Sequence, residues 1–386
     1  MAKTRIPLVV DDGGGCHDEV PDDLEYTEIS GSEQTNVLGL NVTMECPLRC
    51  DFCCYACHPK RTERMPLDLA LDLVEQAAEV DVFSAVGFTG GEPMLWWDEL
   101  LITGDLLRRK RLPFNIVTAC HWGADPAEAR EKVDAMIERG LYKLNVSTDP
   151  SHARFVPRES VVNVALAAVE AGIDVKVIGS FMDTENSLET FVPALVDIPG
   201  VQLETRAIAP AGRARKQKKA QERALAFRME DLRCYRTVYH DLVFFWDGDA
   251  YPCCSVFNRD TDGIKLGNAY DDPLSTIWER AEGSLLLRTM KRAGFPRLYA
   301  ILDELDPALA ARLPVIEKES GPCRLCHQIF SDLDLARDIR NAFVTYERRT
   351  IDALLESLEG EFGADEAASI VTSAIARNER TQRDPA

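Results

Sequence analysis

Between residues 37 and 207, short apolar and β-branched runs alternate with longer stretches whose apolar positions recur at helical spacing. The runs occupy residues 37–43, 82–89, 114–118, 143–148, 174–181 and 202–207, each the length of a strand. Between the first two, Leu67, Leu71, Val74 and Ala78 fall on one helical face behind Pro66, a proline at a first-turn position. Residues 125–139 read as another helix, with Asp125 as its N-cap and Gly140 just past its end. Strand and helix alternating about six times predict parallel strands joined by right-handed crossovers. Six units fall short of the eight that close a barrel. The fold expected is therefore α/β, a partial (β/α)6 TIM-like barrel over residues 37–210; an open doubly wound sheet fits the same pattern. Both place chemistry at the C-terminal ends of the strands.

The rhythm breaks after Pro210. A basic linker or helix, residues 211–230, leads to a small cysteine-bearing domain, residues 231–330, with an expected hairpin over 244–251 turning at Asp247-Gly248. Beyond it, residues 331–386 read as helices over 333–358 and 364–378 with a polar tail. Residues 1–36 form an N-terminal extension.

Composition narrows the function. A chain of 386 residues that is 46% hydrophobic can bury a full core. No apolar run reaches the ~20 residues of a membrane span, and the N-terminus turns acidic too early for a secretory signal, so a cytoplasmic protein without a membrane partner is expected. The net charge of −20 argues against nucleic acid as a partner. The basic run 213–219 reads as a solvated helix face or loop rather than a binding patch. In a reducing compartment the twelve cysteines point to metal rather than disulfides.

Five of those cysteines crowd into residues 45–57, ECPLRCDFCCYAC, directly after the first strand. Cys46, Cys50 and Cys53 stand at Cx3Cx2C spacing. Three thiolates on one loop can ligate three irons of a [4Fe-4S] cluster, leaving one iron open. With Phe52 as the aromatic before the last cysteine, the loop resembles the Cx3CxφC motif of the radical SAM superfamily. The resemblance extends over residues 37–207. Thr89-Gly90-Gly91-Glu92-Pro93, ending the second strand, is similar to the family's GGEP element, which binds the methionine amino group of S-adenosylmethionine; Gly90, Gly91 and Glu92 are thereby implied as cofactor-binding. Ser147 and Asp149, ending the fourth strand, resemble the family's SAM-binding serine and acid positions. Arg206 and Arg213, after the sixth strand, read either as contacts to SAM or to an anionic substrate group or as surface positions. Cys54, Cys57 and Cys16 fall outside the motif. Where many relatives carry Thr-Asn-Gly, this chain has Thr118-Ala119-Cys120, making Cys120 a candidate hydrogen donor facing the reaction chamber or else a small core residue. His152 is a candidate base, or orders its loop.

Cys234, Gly248, Cys253 and the pair Cys323/Cys326 follow a Cx13Gx4C…CxxC order. This is similar to the twitch domain, the shortened form of the SPASM domain, and implies one auxiliary [4Fe-4S] cluster ligated by all four cysteines. A four-cysteine zinc site is the other reading.

The resemblance implies reductive cleavage of S-adenosylmethionine to a 5′-deoxyadenosyl radical that abstracts a substrate hydrogen atom, with a flavodoxin- or ferredoxin-type reductant as partner. A single, fully ligated auxiliary cluster favours two-electron oxidation of a carbinol in a small aminocyclitol- or sugar-like molecule. Epimerisation with a cysteine hydrogen donor, or maturation of a ribosomal peptide, are the alternatives. The stretch before the first strand is short for a fused leader-binding domain. An iron-sulfur electron carrier or redox sensor is the reading from another class, and gives Glu92 and its loop no task.

Overall fold

The computed structural model describes residues 35–181, 187–206, 208–216, 232–234, 241–316 and 321–383, with side chains to residue 373. Residues 1–34 with Cys16, and the basic linker over 217–231, lie outside the described residues.

Six parallel strands appear in sequential order: β1 (Val37–Thr43), β2 (Ala85–Gly90), β3 (Phe114–Thr118), β4 (Leu141–Ser147), β5 (Asp174–Ser180) and β6 (Val201–Arg206). Helices α1 (Leu67–Val80), α2 (Trp97–Arg109), α3 (Pro126–Ile137) and α4 (Arg158–Glu170) supply crossovers between them. Among the described residues the sheet does not close, which gives the partial barrel the strand count predicts. Period-two alternation sorts the strand side chains. Leu38, Leu40 and Val42 of β1, and Val175 and Val177 of β5, enter one core with Leu73 of α1, Val133 of α3 and Val164 of α4. Each such fully buried side chain contributes about 1.5–3 kcal/mol. Asp125 caps α3 as expected, its carboxylate accepting from the N–H groups of Ala127 and Glu128.

The expected hairpin is present but belongs to the same sheet. β7 (Asp241–Phe245) pairs in parallel with β1, register Asn41 to Phe245, and β8 (Asp249–Tyr251) and β9 (Gly267–Asn268) continue antiparallel beyond it. The nine strands run 6-5-4-3-2-1-7-8-9. Val243 and Phe245 of β7 enter a second core with Leu298, Ile329, Phe330 and Phe343 from the C-terminal helices. The last two helices, Leu333–Phe362 and Ala364–Arg383, outrun their expected ends. Among the described residues no helix is long and apolar enough to cross a membrane.

Candidate active site

β1 ends at Thr43, and its last groups anchor the loop that follows. Thr43 Oγ1 donates to the Glu63 carbonyl at 2.9 Å and accepts from the Glu45 N–H at 3.0 Å. The end of β2 locks onto the same backbone, with Gly91 N–H donating to Thr43 O at 2.5 Å and Glu92 N–H to Glu45 O at 2.9 Å. A Cβ on Gly91 would lie 2.1 Å from the Glu45 carbonyl, so the glycine pair is required for β2 to seat the cysteine loop.

Cys46, Cys50 and Cys53 all line one cavity of about 250 Å³ at the C-terminal ends of the strands. Gly90, Gly91 and Ser147 share its wall, as do Cys54, Cys57, Tyr55, His152 and Arg213. The Cys57 N–H donates to Cys53 Sγ at 3.3 Å. Hydrogen bonding from Cys57 outweighs burial and, with the Arg213 charge, brings the Cys53 thiol down to about 6; burial pushes Cys46 and Cys54 up to about 12. Thiols that resist ionisation in an apolar wall lose their protons when metal arrives to compensate the charge.

Glu92 and Asp149 stand behind the cavity wall rather than in it, each 1% exposed. Glu92 accepts from Thr118 Oγ1 and the Ala119 N–H, both at 2.8 Å, and so ties β2 to the end of β3. Asp149 accepts from the N–H groups of Ser151 and His152, at 2.9 and 3.0 Å, and meets His152 Nδ1 at 2.7 Å. Burial disfavours the imidazolium of His152, but Asp149 and the Cys50 sulfur outweigh it and raise the group to about 10. Of the two readings of His152, its hydrogen bonds to Asp149 match the ordering of the loop.

For Cys120 and Arg206 the structure favours the second of the two readings. Cys120 does not face the chamber: it is fully buried in the main core, with a left-handed φ of 59°, and Ala119 lines the cavity in its place. Arg206 is exposed, ion-paired with Glu204 and away from the cavity. Arg213, by contrast, comes 163 residues along the chain to donate from Nε to Cys50 O at 2.6 Å, and reaches Cys57 O from Nη2 at 2.8 Å.

Cys234, Cys253, Cys323 and Cys326 line a second cavity of about 50 Å³. Cys323 and Cys326 share a face of helix Pro322–Phe330, three residues apart behind a first-turn proline. Burial holds the Cys253 and Cys326 thiols well above their usual range and takes Cys323 to about 11. Among the described residues no three His, Cys, Asp or Glu side chains are gathered tightly enough to grip a single metal ion. Each cysteine set lines a single cavity, and thiolates are the ligand type that holds iron-sulfur clusters.

Tyr55 is the residue that sequence reasoning missed. It lines the first cavity, and its hydroxyl donates to the carbonyl of Ser255, which lines the second, at 3.1 Å. Its ring packs edge-on against Phe245, with centroids 5.5 Å apart. Nothing in the local sequence marks it apart from its place among the cysteines. Asn41 on β1, in register with Thr89, is also new: it is 1% exposed with neither amide atom partnered among the described residues.

Comparison with known proteins agrees with this geometry. The radical SAM superfamily profile matches residues 40–195, and an iron-sulfur cluster-binding domain, SPASM, matches residues 234–295. YydG of Bacillus subtilis (strain 168), named for peptide biosynthesis, is 24% identical over 299 residues, spanning 77% of this chain and 92% of its own. The structure of BtrN in complex with AdoMet and 2-DOIA superposes over 68% of this chain and 89% of its own, with 14% identity and a TM-score of 0.42. Native anSMEcpe with bound AdoMet covers 84% of this chain and 100% of its own, with 14% identity and a TM-score of 0.46. The chain carries a radical SAM domain and, C-terminal to it, a SPASM-type iron-sulfur domain, with S-adenosylmethionine and a [4Fe-4S] cluster as cofactors of the first and an auxiliary iron-sulfur cluster in the second.

Proposed function

We propose that this chain is a peptide-modifying enzyme, in which Cys46, Cys50 and Cys53 hold the cluster that binds S-adenosylmethionine and Cys234, Cys253, Cys323 and Cys326 hold the auxiliary cluster. The observation that carries the proposal is the convergence of the two thiol sets on two cavities spanned by Tyr55. When bound, the cofactor supplies a hydrogen-abstracting radical. The protein's residues position and protect it. Gly90 and Gly91 admit the ligand's polar end to the backbone, Ser147 offers a hydroxyl, and Glu92 and Asp149 brace the strand ends from behind. A lining that is mostly apolar excludes water from the reacting centre. Through Tyr55, the auxiliary site lies within one side chain of the first, which suits electron exchange with a substrate radical.

Two points support a peptide over a carbinol. A relative matching 77% of this chain is named for peptide biosynthesis. Dehydrogenation of an alcohol requires a group to take the hydroxyl proton, and among the described residues no carboxylate lines the cavity. Anaerobically reconstituted, reduced protein is to be given S-adenosylmethionine with a ribosomal-peptide panel or an aminocyclitol panel. Peptide-stimulated 5′-deoxyadenosine is the expected result, with the peptide either unchanged in mass but labelled in heavy water or lighter by two hydrogens. Stimulation by aminocyclitols alone would refute the peptide reading, and an iron-loaded protein with no cleavage at all would mark an electron carrier.

A further inference from the structure

We infer that Arg213 is a positioning residue that presets the cysteine loop for its cluster and supplies a fixed positive charge that makes that cluster easier to reduce. The inference rests on the reading of Cys46, Cys50 and Cys53 as cluster ligands. The segment over 208–216, which follows β6, lies across the loop like a strap. Its Ile208 and Ala214 are buried against Phe52 of the loop. Gly212 sits with φ 51°, and a Cβ there would fall 2.4 Å from the Cys53 carbonyl and 2.3 Å from that of Cys54, so the strap's backbone lies flush on the loop. From that seat Arg213 binds three carbonyls: its N–H donates to Cys53 O at 3.1 Å, its Nε to Cys50 O at 2.6 Å and its Nη2 to Cys57 O at 2.8 Å.

Those contacts run from Cys50 to Cys57 and include the carbonyls of two of the loop's three motif cysteines. A planar guanidinium fork fixes such an arrangement in a way that the ammonium of lysine does not. Among the described residues no carboxylate pairs with Arg213, so its charge is not cancelled locally, and the side chain forms part of the cavity wall. Nearby positive charge stabilises the reduced, more negative state of an iron-sulfur cluster, and hydrogen bonds and net charge are what tune its potential.

The test uses full-length protein reconstituted with iron and sulfide, comparing wild type, Arg213→Gln and Arg213→Lys, with circular dichroism to establish folding. The cluster of interest is the one whose electron paramagnetic resonance signal changes when S-adenosylmethionine is added. Arg213→Gln is expected to load that cluster more slowly and to shift its midpoint potential to more negative values. Arg213→Lys is expected to load slowly as well, because the fork is lost, but to restore the potential, because the charge remains. A folded Arg213→Gln protein with wild-type loading and potential would overturn the inference, as would normal loading and potential with weakened S-adenosylmethionine binding, since that would make Arg213 a ligand contact. Failure of the wild type to take up a cluster sensitive to S-adenosylmethionine would instead sink the underlying cofactor reading. Should Arg213→Gln fail to fold, the potential of Arg213→Lys decides: a large negative shift with charge retained contradicts the electrostatic role.

Discussion

Single side chains divide the labour between the two cavities. Cys50→Ala removes one of three thiols from a loop with no spare motif ligand, so iron at that site and 5′-deoxyadenosine formation are both expected to disappear. Cys326→Ala removes a thiol from the other cavity and is expected to spare cleavage while blocking product. Iron content and chromatography of the two products check this, and equal loss of cleavage in both variants would contradict it. Cys120→Ala is expected to behave as a core change, lowering stability by about 1 kcal/mol and leaving product formation intact in a denaturation and turnover comparison. The motif cysteines were legible because metal ligation demands fixed residue types at fixed spacing. The contacts of Arg213 and Tyr55 were not, because their partners lie up to 163 and 200 residues away and no local pattern encodes such contacts. Cys120 misled for a related reason: a position at a strand end is readable, but the direction of its side chain depends on a left-handed backbone that is not.

At the scale of elements, strand ends build the site by pressing on one another. Gly91→Ala puts a methyl group on the Glu45 carbonyl, and overpacking of that kind costs roughly 1–3 kcal/mol. The strain falls on the cysteine loop itself, so loss of iron is expected to exceed loss of helix content when both are followed during thermal unfolding. Tyr55→Phe keeps the ring against Phe245 and removes one hydrogen bond, worth about 1 kcal/mol. Product formation is expected to slow while S-adenosylmethionine cleavage stays near wild type, and unchanged rates of both would remove Tyr55 from the electron path. The first six strands were legible from their alternation with helices. β7 was not recognised as a seventh parallel strand. Leu242 and Phe244 enter one core while Val243 and Phe245 enter the other, so the run is apolar on both faces and carries no period. Its pairing with β1, some 200 residues earlier, is a tertiary choice that a local hairpin pattern conceals.

For the molecule as a whole, the same pairing makes the barrel and the auxiliary site one structure, and the C-terminal helices close its second core. Leu335, Ile339 and Phe343, on the first half of helix Leu333–Phe362, pack with Leu325, Ile329 and Phe330 of the helix that carries Cys323 and Cys326. Burial of three such side chains contributes on the order of 5–9 kcal/mol, comparable to the ~5–15 kcal/mol that separates folded from unfolded domains. The second half is different: Ile351, Leu354 and Phe362 are exposed, by 50%, 58% and 48%. Truncation after Glu347 is therefore expected to keep both clusters, with an unfolding midpoint close to that of the full chain. Truncation after Ser331 is expected to lose the auxiliary cluster while the barrel core, which includes none of these helical residues, retains S-adenosylmethionine cleavage. Iron counting with a thermal scan separates the outcomes, and loss of the auxiliary cluster in the longer truncation product would mean that the exposed half of the helix stabilises the site in a way its burial does not reveal.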